Sequence, residues 1–227
     1  MLRIAIDGAC RRNGKPDCVS AGGVYAQRVN VYGLVLDHIT LAMSEDCSTN
    51  QRGELMALSE ALQLMLDINE AAIVITDSEY IFNAMTKGWC DRWSRNGWTT
   101  VSGDPVKNAD IWQTIYMRAQ RVEERGLEVT YYHIKGHCIP FGAVTADRLL
   151  TEDGTAEKLY YEVRKKFDAV MPKKYNVFAK AQALSKANNG YELPMETFKE
   201  FVVMNTVVDA IATGEVNEAD ACPIKRK

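Results

Sequence analysis

Residues 50–78 read NQRGELMALSEALQLMLDINEAAIVITDS and join an amphipathic helix directly to a buried strand. From position 50 to about 66, apolar residues recur at steps of three and four, at positions 55, 58, 62 and 65. The continuous apolar run 72–75 is typical of a strand covered on both faces. Ser78 stands where it could cap the next helix, EYIFNAM. A helix that feeds a buried strand favours an α/β fold.

The residues before this stretch predict three short strands. Apolar and other side chains alternate over residues 2–7, a second strand pattern covers 23–26, and a third covers 33–36 and continues to position 41. Glycine-containing turns separate the three patterns. Short strands joined in this way indicate an antiparallel meander.

The residues after the buried strand predict further helices and one more strand. Residues 87–107 are aromatic and rich in turn formers, which indicates a short helix and a protruding loop. An amphipathic helix over 108–125 ends at Gly126, and alternation returns over 127–134. Three helices follow, at about 155–169, 174–188 and 194–213, separated by Pro172 and by the sequence Asn188-Asn189-Gly190.

The composition is that of an ordinary globular protein, with 47% hydrophobic residues, 25% charged residues and a net charge of -3. The first residues turn polar after position 6, and no run of about 18 apolar residues occurs. We therefore expect neither a signal peptide nor a membrane span, and a cytoplasmic location. Six scattered cysteines without a CxxC pair predict reduced thiols. Residues 155–190 form a basic segment, with 8 Lys and Arg against 3 Asp and Glu.

Three acidic residues occupy positions that could bring them together. Asp7 ends the first strand, Glu54 lies in the first turn of the first long helix, and Asp77 ends the buried strand. Each has a plain structural interpretation, as a turn residue or as a helix N-terminal acid. If the first and fourth strands are neighbours, however, Asp7 and Asp77 project from one sheet edge, and a helix across that edge can aim Glu54 between them. Clustered carboxylates of this kind suit Mg²⁺ or Mn²⁺.

The order of motifs resembles that of the type 1 ribonuclease H family. The motifs are IDGAC, TNQRGELMAL, ITDSEY and IKGH, with GWCDRWSRNGW and PVKNADIW between the last two, and they span residue 2 to about 138. The resemblance implies a mixed five-stranded sheet flanked by helices, and an endonuclease for the RNA strand of RNA·DNA hybrids. It also implies a two-metal mechanism, in which one ion activates water and the other stabilises the leaving 3′ oxygen, giving 5′-phosphate and 3′-hydroxyl ends.

The resemblance also assigns residues. It puts Asp7, Glu54 and Asp77 on three of the family's four metal-binding carboxylates, with two Mg²⁺ ions as cofactors and Mn²⁺ as a substitute. It puts His137 on the family's mobile-loop histidine, which is associated with proton transfer or product release. His38 and His133 receive no functional assignment.

The fourth carboxylate has two candidates, because the sequence departs from the family pattern here. The family shows Asn, three residues, Asp, one residue, Leu or Ile, then Ala, shortly after the Lys-Gly-His loop. Asp147 stands at about that distance, but positions 143 and 150 are Ala and Leu. Asp209 follows Asn205 in NTVVDAIA, which satisfies the pattern throughout. We prefer Asp209, which divides the chain into a core at 1–138, a helical insertion at 139–200, and a closing helix with its tail at 201–227.

The resemblance also indicates residues that could contact the substrate. Residues near the family's substrate positions are Asn13, Asn50, Gln51 and Asn205, and those on the protrusion are Trp89, Trp93, Arg95 and Lys107. Asn50 could equally be a helix cap, and the tryptophans could equally pack a small core. We expect a monomer whose partner is an RNA·DNA hybrid. A two-metal nuclease for DNA junctions and a non-cleaving hybrid-binding module stay open as alternatives.

Overall fold

The computed structural model describes residues 1–13, 15, 18–46, 48–136 and 156–221. The strands are β1 (Leu2–Arg11), β2 (Val19–Val29), β3 (Val35–Asp46), β4 (Ala72–Thr76) and β5 (Val129–His133). The helices are α1 (Asn50–Ile68), α2 (Glu79–Thr86), α3 (Trp89–Arg95), α4 (Ala109–Glu124), α5 (Ala156–Asn189) and α6 (Met195–Ala221). None of the helices in these ranges is both long enough and apolar enough to cross a membrane.

The five strands form one mixed sheet in the order β3-β2-β1-β4-β5. The first three strands pair antiparallel, which confirms the meander, and β4 pairs parallel with both β1 and β5. The third strand begins later than its sequence pattern indicated, because Gly33 adopts a φ of +80° in the turn before it. The mixed five-stranded sheet implied by the resemblance is confirmed.

Helices cover both faces of the sheet. On one face, α1 packs on the strands that carry Ile4, Ile6 and Val24, and α4 packs on α1. On the other face, α5 and α6 pack on Ala5 and Tyr25, their alternate neighbours along the same strands. This alternation fits strands that are buried on both sides, which explains their continuous apolar composition.

The C-terminal helices belong to the main core. Phe167 and Phe178 of α5 lie with ring centroids 4.8 Å apart, because α5 bends at Lys174, two residues after Pro172. Both rings lie in the cluster that also contains Tyr132 of β5. The expected boundary at residue 200 falls inside α6, which is one continuous helix. The added helices are therefore an integral layer of the fold.

Candidate active site at the edge formed by β1 and β4

Asp7 and Asp77 lie side by side at one end of the sheet. The parallel pairing of β1 and β4 matches Ala5 with Ile75, so the two aspartates stand two residues further along neighbouring strands. Asp7 is 7% exposed, and its Oδ1 accepts a hydrogen bond of 2.7 Å from the backbone N–H of Gly8. The condition for bringing Asp7 and Asp77 together, that β1 and β4 are neighbouring strands, is therefore met.

Close packing of α1 against the sheet brings Glu54 to the same edge. A Cβ on Gly8 would lie 2.5 Å from the backbone nitrogen of Glu54, which is closer than real Cβ atoms come to other atoms. A Cβ on Gly53 would collide with the carbonyl oxygen of Ala21. Only glycine permits this approach, and the start of α1 thus reaches the strand that carries Asp7. The expected place of Glu54 in the first turn is wrong, because α1 begins at Asn50 and Glu54 follows its first turn.

Helix α6 brings Asp209 to the site from the opposite face. Asp7 pairs with Gly23 in the β1–β2 register, and a Cβ on Gly23 would lie 2.9 Å from the carbonyl oxygen of Val208. Strand alternation puts Asp7 on the same face as Ala5, which is the face that α6 covers. Asp209 is therefore near enough to act electrostatically on Asp7.

The electrostatics of the site reflect this crowding. Burial raises the pKa of Asp7 well above its usual value, and the carboxylates of Asp77, Asp209 and Glu54 raise it further. Burial and Asp77 likewise raise the pKa of Glu54, although a hydrogen bond from Ser78 opposes the shift. Four carboxylates thus repel one another at one edge of the sheet.

Two polar side chains hold Glu54. Its Oε2 accepts a hydrogen bond of 2.6 Å from Ser78 Oγ, and its Oε1 accepts one of 3.2 Å from Asn50 Nδ2. Ser78 occupies the N-cap position of α2, but its side chain makes no capping hydrogen bond, so the expected cap is wrong. Asn50 is not the cap of α1 either, because Thr49 Oγ1 accepts the capping hydrogen bond from the backbone N–H of Arg52. Both residues orient Glu54 instead.

The donor set fits a hard divalent cation. All four side chains offer carboxylate oxygens, which are the ligands that Mg²⁺ and Mn²⁺ prefer, and a bound cation would relieve the repulsion that raises the pKa of Asp7. Within the described ranges, no three acidic, histidine or cysteine side chains are already arranged as the ligands of one ion. The oxygens of Glu54 point to Ser78 and Asn50, as described above.

His137 and Asp147 lie outside the described residues, so the structure does not place either of them. The chain just before His137 does reach the site, because a Cβ on Gly136 would collide with Asp77 Oδ2. His133, to which the sequence assigned no role, is buried, and its Nε2 lies 3.2 Å from the carbonyl oxygen of Asp77. Burial lowers the pKa of His133.

The expected substrate residues fall into two environments. Asn13 is exposed in the turn after β1, and Gln51 is partly exposed in the first turn of α1. Asn205 is only 6% exposed, one turn before Asp209 in α6. Its Oδ1 has no hydrogen-bond partner in the described part of the chain. The side chains of Asn13 and Gln51 are thus accessible, whereas that of Asn205 is enclosed.

The protrusion combines an aromatic core with an open groove. Trp89 and Trp93 of α3 lie 5.9 Å apart between ring centroids, and Trp93 packs against the fully buried Trp112. Both Trp89 and Trp93 nevertheless line a groove of about 630 Å³ beside the loop at 99–102. The exposed side chains of Arg95 and Lys107 also lie on this protrusion. The tryptophans thus pack the core and border the surface together.

The chain is similar in sequence and in fold to known ribonucleases H. The family model described as RNase H matches residues 2–154. A ribonuclease H of Jannaschia sp. (strain CCS1) is 38% identical over 143 residues, which cover 63% of this chain and 84% of that protein. One of Maricaulis maris (strain MCS10) is 34% identical, over 69% of this chain and 94% of its own. The solution structure of the PFV RNase H domain is 22% identical with a TM-score of 0.49, over 63% of this chain and 84% of that one.

For the fourth carboxylate, the extent of the family match favours Asp147 and the geometry favours Asp209. The match continues through position 147 to residue 154, so Asp147 lies within it and Asp209 does not. The structure, in contrast, puts Asp209 beside Asp7. Mutation of both residues is therefore the direct way to choose between them.

Proposed function

Because this chain belongs to the ribonuclease H family, we propose that it is a divalent-metal-dependent endonuclease that hydrolyses the RNA strand of RNA·DNA hybrids. The products are a 5′-phosphate and a 3′-hydroxyl end. The observation that carries this proposal is the meeting of Asp7, Glu54, Asp77 and Asp209 at one sheet edge within a chain that matches this family. A cluster of oxygen ligands of this kind can hold the two ions of a two-metal phosphodiester hydrolysis.

The proposed metal ligands are these four carboxylates. When bound, two Mg²⁺ ions, or Mn²⁺ in their place, supply a water of lowered pKa and positive charge for the phosphate oxygens. Asp7 is central, because its pKa responds to all three other carboxylates. Ser78 and Asn50 keep Glu54 directed at the sheet edge.

The remaining residues act on the substrate. We assign a proton transfer at the leaving oxygen or the release of product to His137, directly after the chain segment that packs on Asp77. Asn13 and Gln51 are accessible for contacts with 2′-hydroxyl groups and base edges, which distinguish an RNA strand from DNA. Trp89 and Trp93, with Arg95 and Lys107 nearby, present the groove of the protrusion to the DNA strand.

The proposal is tested by offering three duplexes of one sequence, an RNA·DNA hybrid, an all-DNA duplex and an all-RNA duplex, with Mg²⁺ or with a chelator. We expect cleavage of only the RNA strand of the hybrid, products with 5′-phosphates, and no cleavage in chelator. Asp7→Asn is the matched control, and it should still bind the hybrid while cleavage is abolished. Cleavage of the all-DNA duplex at a similar rate, or wild-type turnover by Asp7→Asn, would refute the proposal.

A monomeric state and a cytoplasmic location belong to the same proposal. Gel filtration with light scattering, alone and with the hybrid, measures the first. A dimer at the concentrations used in the cleavage assay would contradict it.

A further inference from the structure

The side chain of Asn189, at the C-terminal end of α5, forms two hydrogen bonds to the backbone of the last strand. Asn189 Oδ1 accepts a hydrogen bond of 2.8 Å from the backbone N–H of His133, and Asn189 Nδ2 donates one of 2.7 Å to the carbonyl oxygen of His133. The same Nδ2 donates to the carbonyl oxygen of Ser185 at 2.7 Å, which fixes the orientation of the amide. The two hydrogen bonds between Asn189 and His133 join positions 56 residues apart.

This attachment completes the edge of the sheet. β5 is an outer strand, and its next residue, Ile134, donates its N–H to Thr76 on the inner side. The N–H and the carbonyl of His133 face the outer side, where no strand among the described residues pairs with them. An amide side chain carries both a donor and an acceptor, so Asn189 satisfies both groups in place of a strand.

The ring of His133 extends the connection to Asp77. Asn188 Nδ2 lies 3.0 Å from His133 Nδ1, and His133 Nε2 lies 3.2 Å from the carbonyl oxygen of Asp77. An amide nitrogen only donates, so Nδ1 is the acceptor, and the ring proton sits on Nε2. The ring therefore donates to the Asp77 carbonyl, and Asn188 selects the tautomer that allows it.

We propose that Asn188 and Asn189 are positioning residues for the carboxylate of Asp77, and that they act through His133. Asn189 fixes the backbone of His133, and Asn188 fixes its ring against the backbone of Asp77. The chain just after β5 also brings Gly136 against the Asp77 carboxylate, so both the backbone carbonyl and the side chain of Asp77 contact residues at or just after the end of β5. The inference rests on the proposed function insofar as Asp77 is a metal ligand there.

The test compares Asn189→Asp and Asn188→Ala with the wild type. Asp in place of Asn189 keeps the acceptor for the His133 N–H but loses the donor for its carbonyl, while Asn188→Ala removes only the bond to the ring from an exposed side chain. Outer partners of metal ligands are typically worth about 10- to 100-fold in metal affinity or activity. We expect both the Mn²⁺ affinity, measured by calorimetry, and kcat on the hybrid to decrease by a factor in that range. The KM for the hybrid should not change.

Gln182→Ala is the matched control. Gln182 lies in the same helix and is buried, and its Nε2 donates to the carbonyl oxygen of Leu193 at 2.8 Å without touching His133. It should lower the thermal unfolding midpoint while Mn²⁺ affinity and kcat stay at the wild-type values. All variants are measured at a temperature at which circular dichroism shows them folded.

Failure of the positioning role of Asn188 and Asn189 can be distinguished from failure of the proposed function. Wild-type Mn²⁺ affinity and kcat in folded Asn188→Ala and Asn189→Asp would overturn the inference, as would equal losses in Gln182→Ala. Failure of the wild type to cleave any hybrid would refute the proposed function instead. Calorimetry with Mn²⁺ alone would in that case still report whether Asn188 and Asn189 influence the carboxylates.

Discussion

Replacing Gly23 by Ala should displace the helix that carries Asp209. The new Cβ would lie 2.9 Å from the carbonyl oxygen of Val208 and 3.1 Å from the backbone nitrogen of Ala212, both of which belong to α6. Ordinary contact begins at 3.4 Å, so α6 must retreat by about 0.5 Å, the difference between that distance and 2.9 Å. Because the obstructing atoms belong to the helix backbone, a side-chain rotation cannot relieve the contact.

The size of the effect follows from this displacement. Catalytic groups must be held within about 0.5 Å of their working geometry, and a misplacement of about 1 Å costs roughly 100-fold in rate. A retreat of half that distance should therefore lower kcat roughly tenfold and weaken Mn²⁺ binding. Overpacking of this kind also costs about 1–3 kcal/mol in the free energy of unfolding.

The assay measures kcat and KM on the hybrid, Mn²⁺ affinity by calorimetry, and urea unfolding, for Gly23→Ala and a control. Ala181→Val is the control, because Ala181 is 3% exposed in the same core but belongs to α5. It should lower stability similarly and leave kcat unchanged. If Gly23→Ala loses stability as expected but keeps wild-type kcat and Mn²⁺ affinity, α6 does not carry a metal ligand, and Asp147 becomes the fourth carboxylate.

Three further predictions address the charges. Asp209→Asn should impair cleavage severely and Asp147→Asn only slightly in steady-state assays, and the reverse ranking would remove α6 from the site. Because the pKa values of Asp7 and Glu54 are raised, the stability that they contribute is complete below their ordinary values of 3.8 and 4.5 and is lost as pH rises through the folded-state values. Urea unfolding in chelator should show this loss, and Asp7→Asn should reduce it; a pH profile unaltered by Asp7→Asn would contradict the crowding of the carboxylates. Glutamine at four lysines of the basic segment should weaken hybrid binding and flatten the slope of log affinity against log salt by roughly one per lost phosphate contact, whereas an unchanged slope would assign them to a solvated surface. These four are Lys165, Lys166, Lys173 and Lys174, all exposed.

The central fold could be predicted from the sequence because its signals are local. The apolar periodicity of α1 and the buried run of β4 both follow from neighbouring residues, and together they predict a helix packed on a sheet. The meeting of Asp7 with Asp77 then needed only one further condition, that β1 and β4 are neighbours. The motif order supplied that condition through the resemblance.

The surroundings of the carboxylates were harder to predict, because they depend on distances between elements. Ser78 has the sequence signature of an N-cap, yet its hydroxyl donates to Glu54, which lies 24 residues earlier in the chain. Asn50 likewise is not a cap but the first residue of α1, which Thr49 caps. The position of Ser78 directly after Asp77 was the signal that could have indicated a role at the site. For His133 no local pattern exists, because its partners Asn188 and Asn189 come more than fifty residues later.

The attachment of α5 to β5 also explains how a long helical segment fits before the closing helix. The chain leaves the sheet just after His133, and Asn189 returns it to the same residue. α6 begins six residues after Asn189, at Met195, and crosses the sheet to reach Gly23. A segment whose two ends meet at one sheet edge can vary in length at a small entropic cost, without moving the helix that follows it. Gly23 then lets α6 approach β2 closely and so helps to set the position of Asp209.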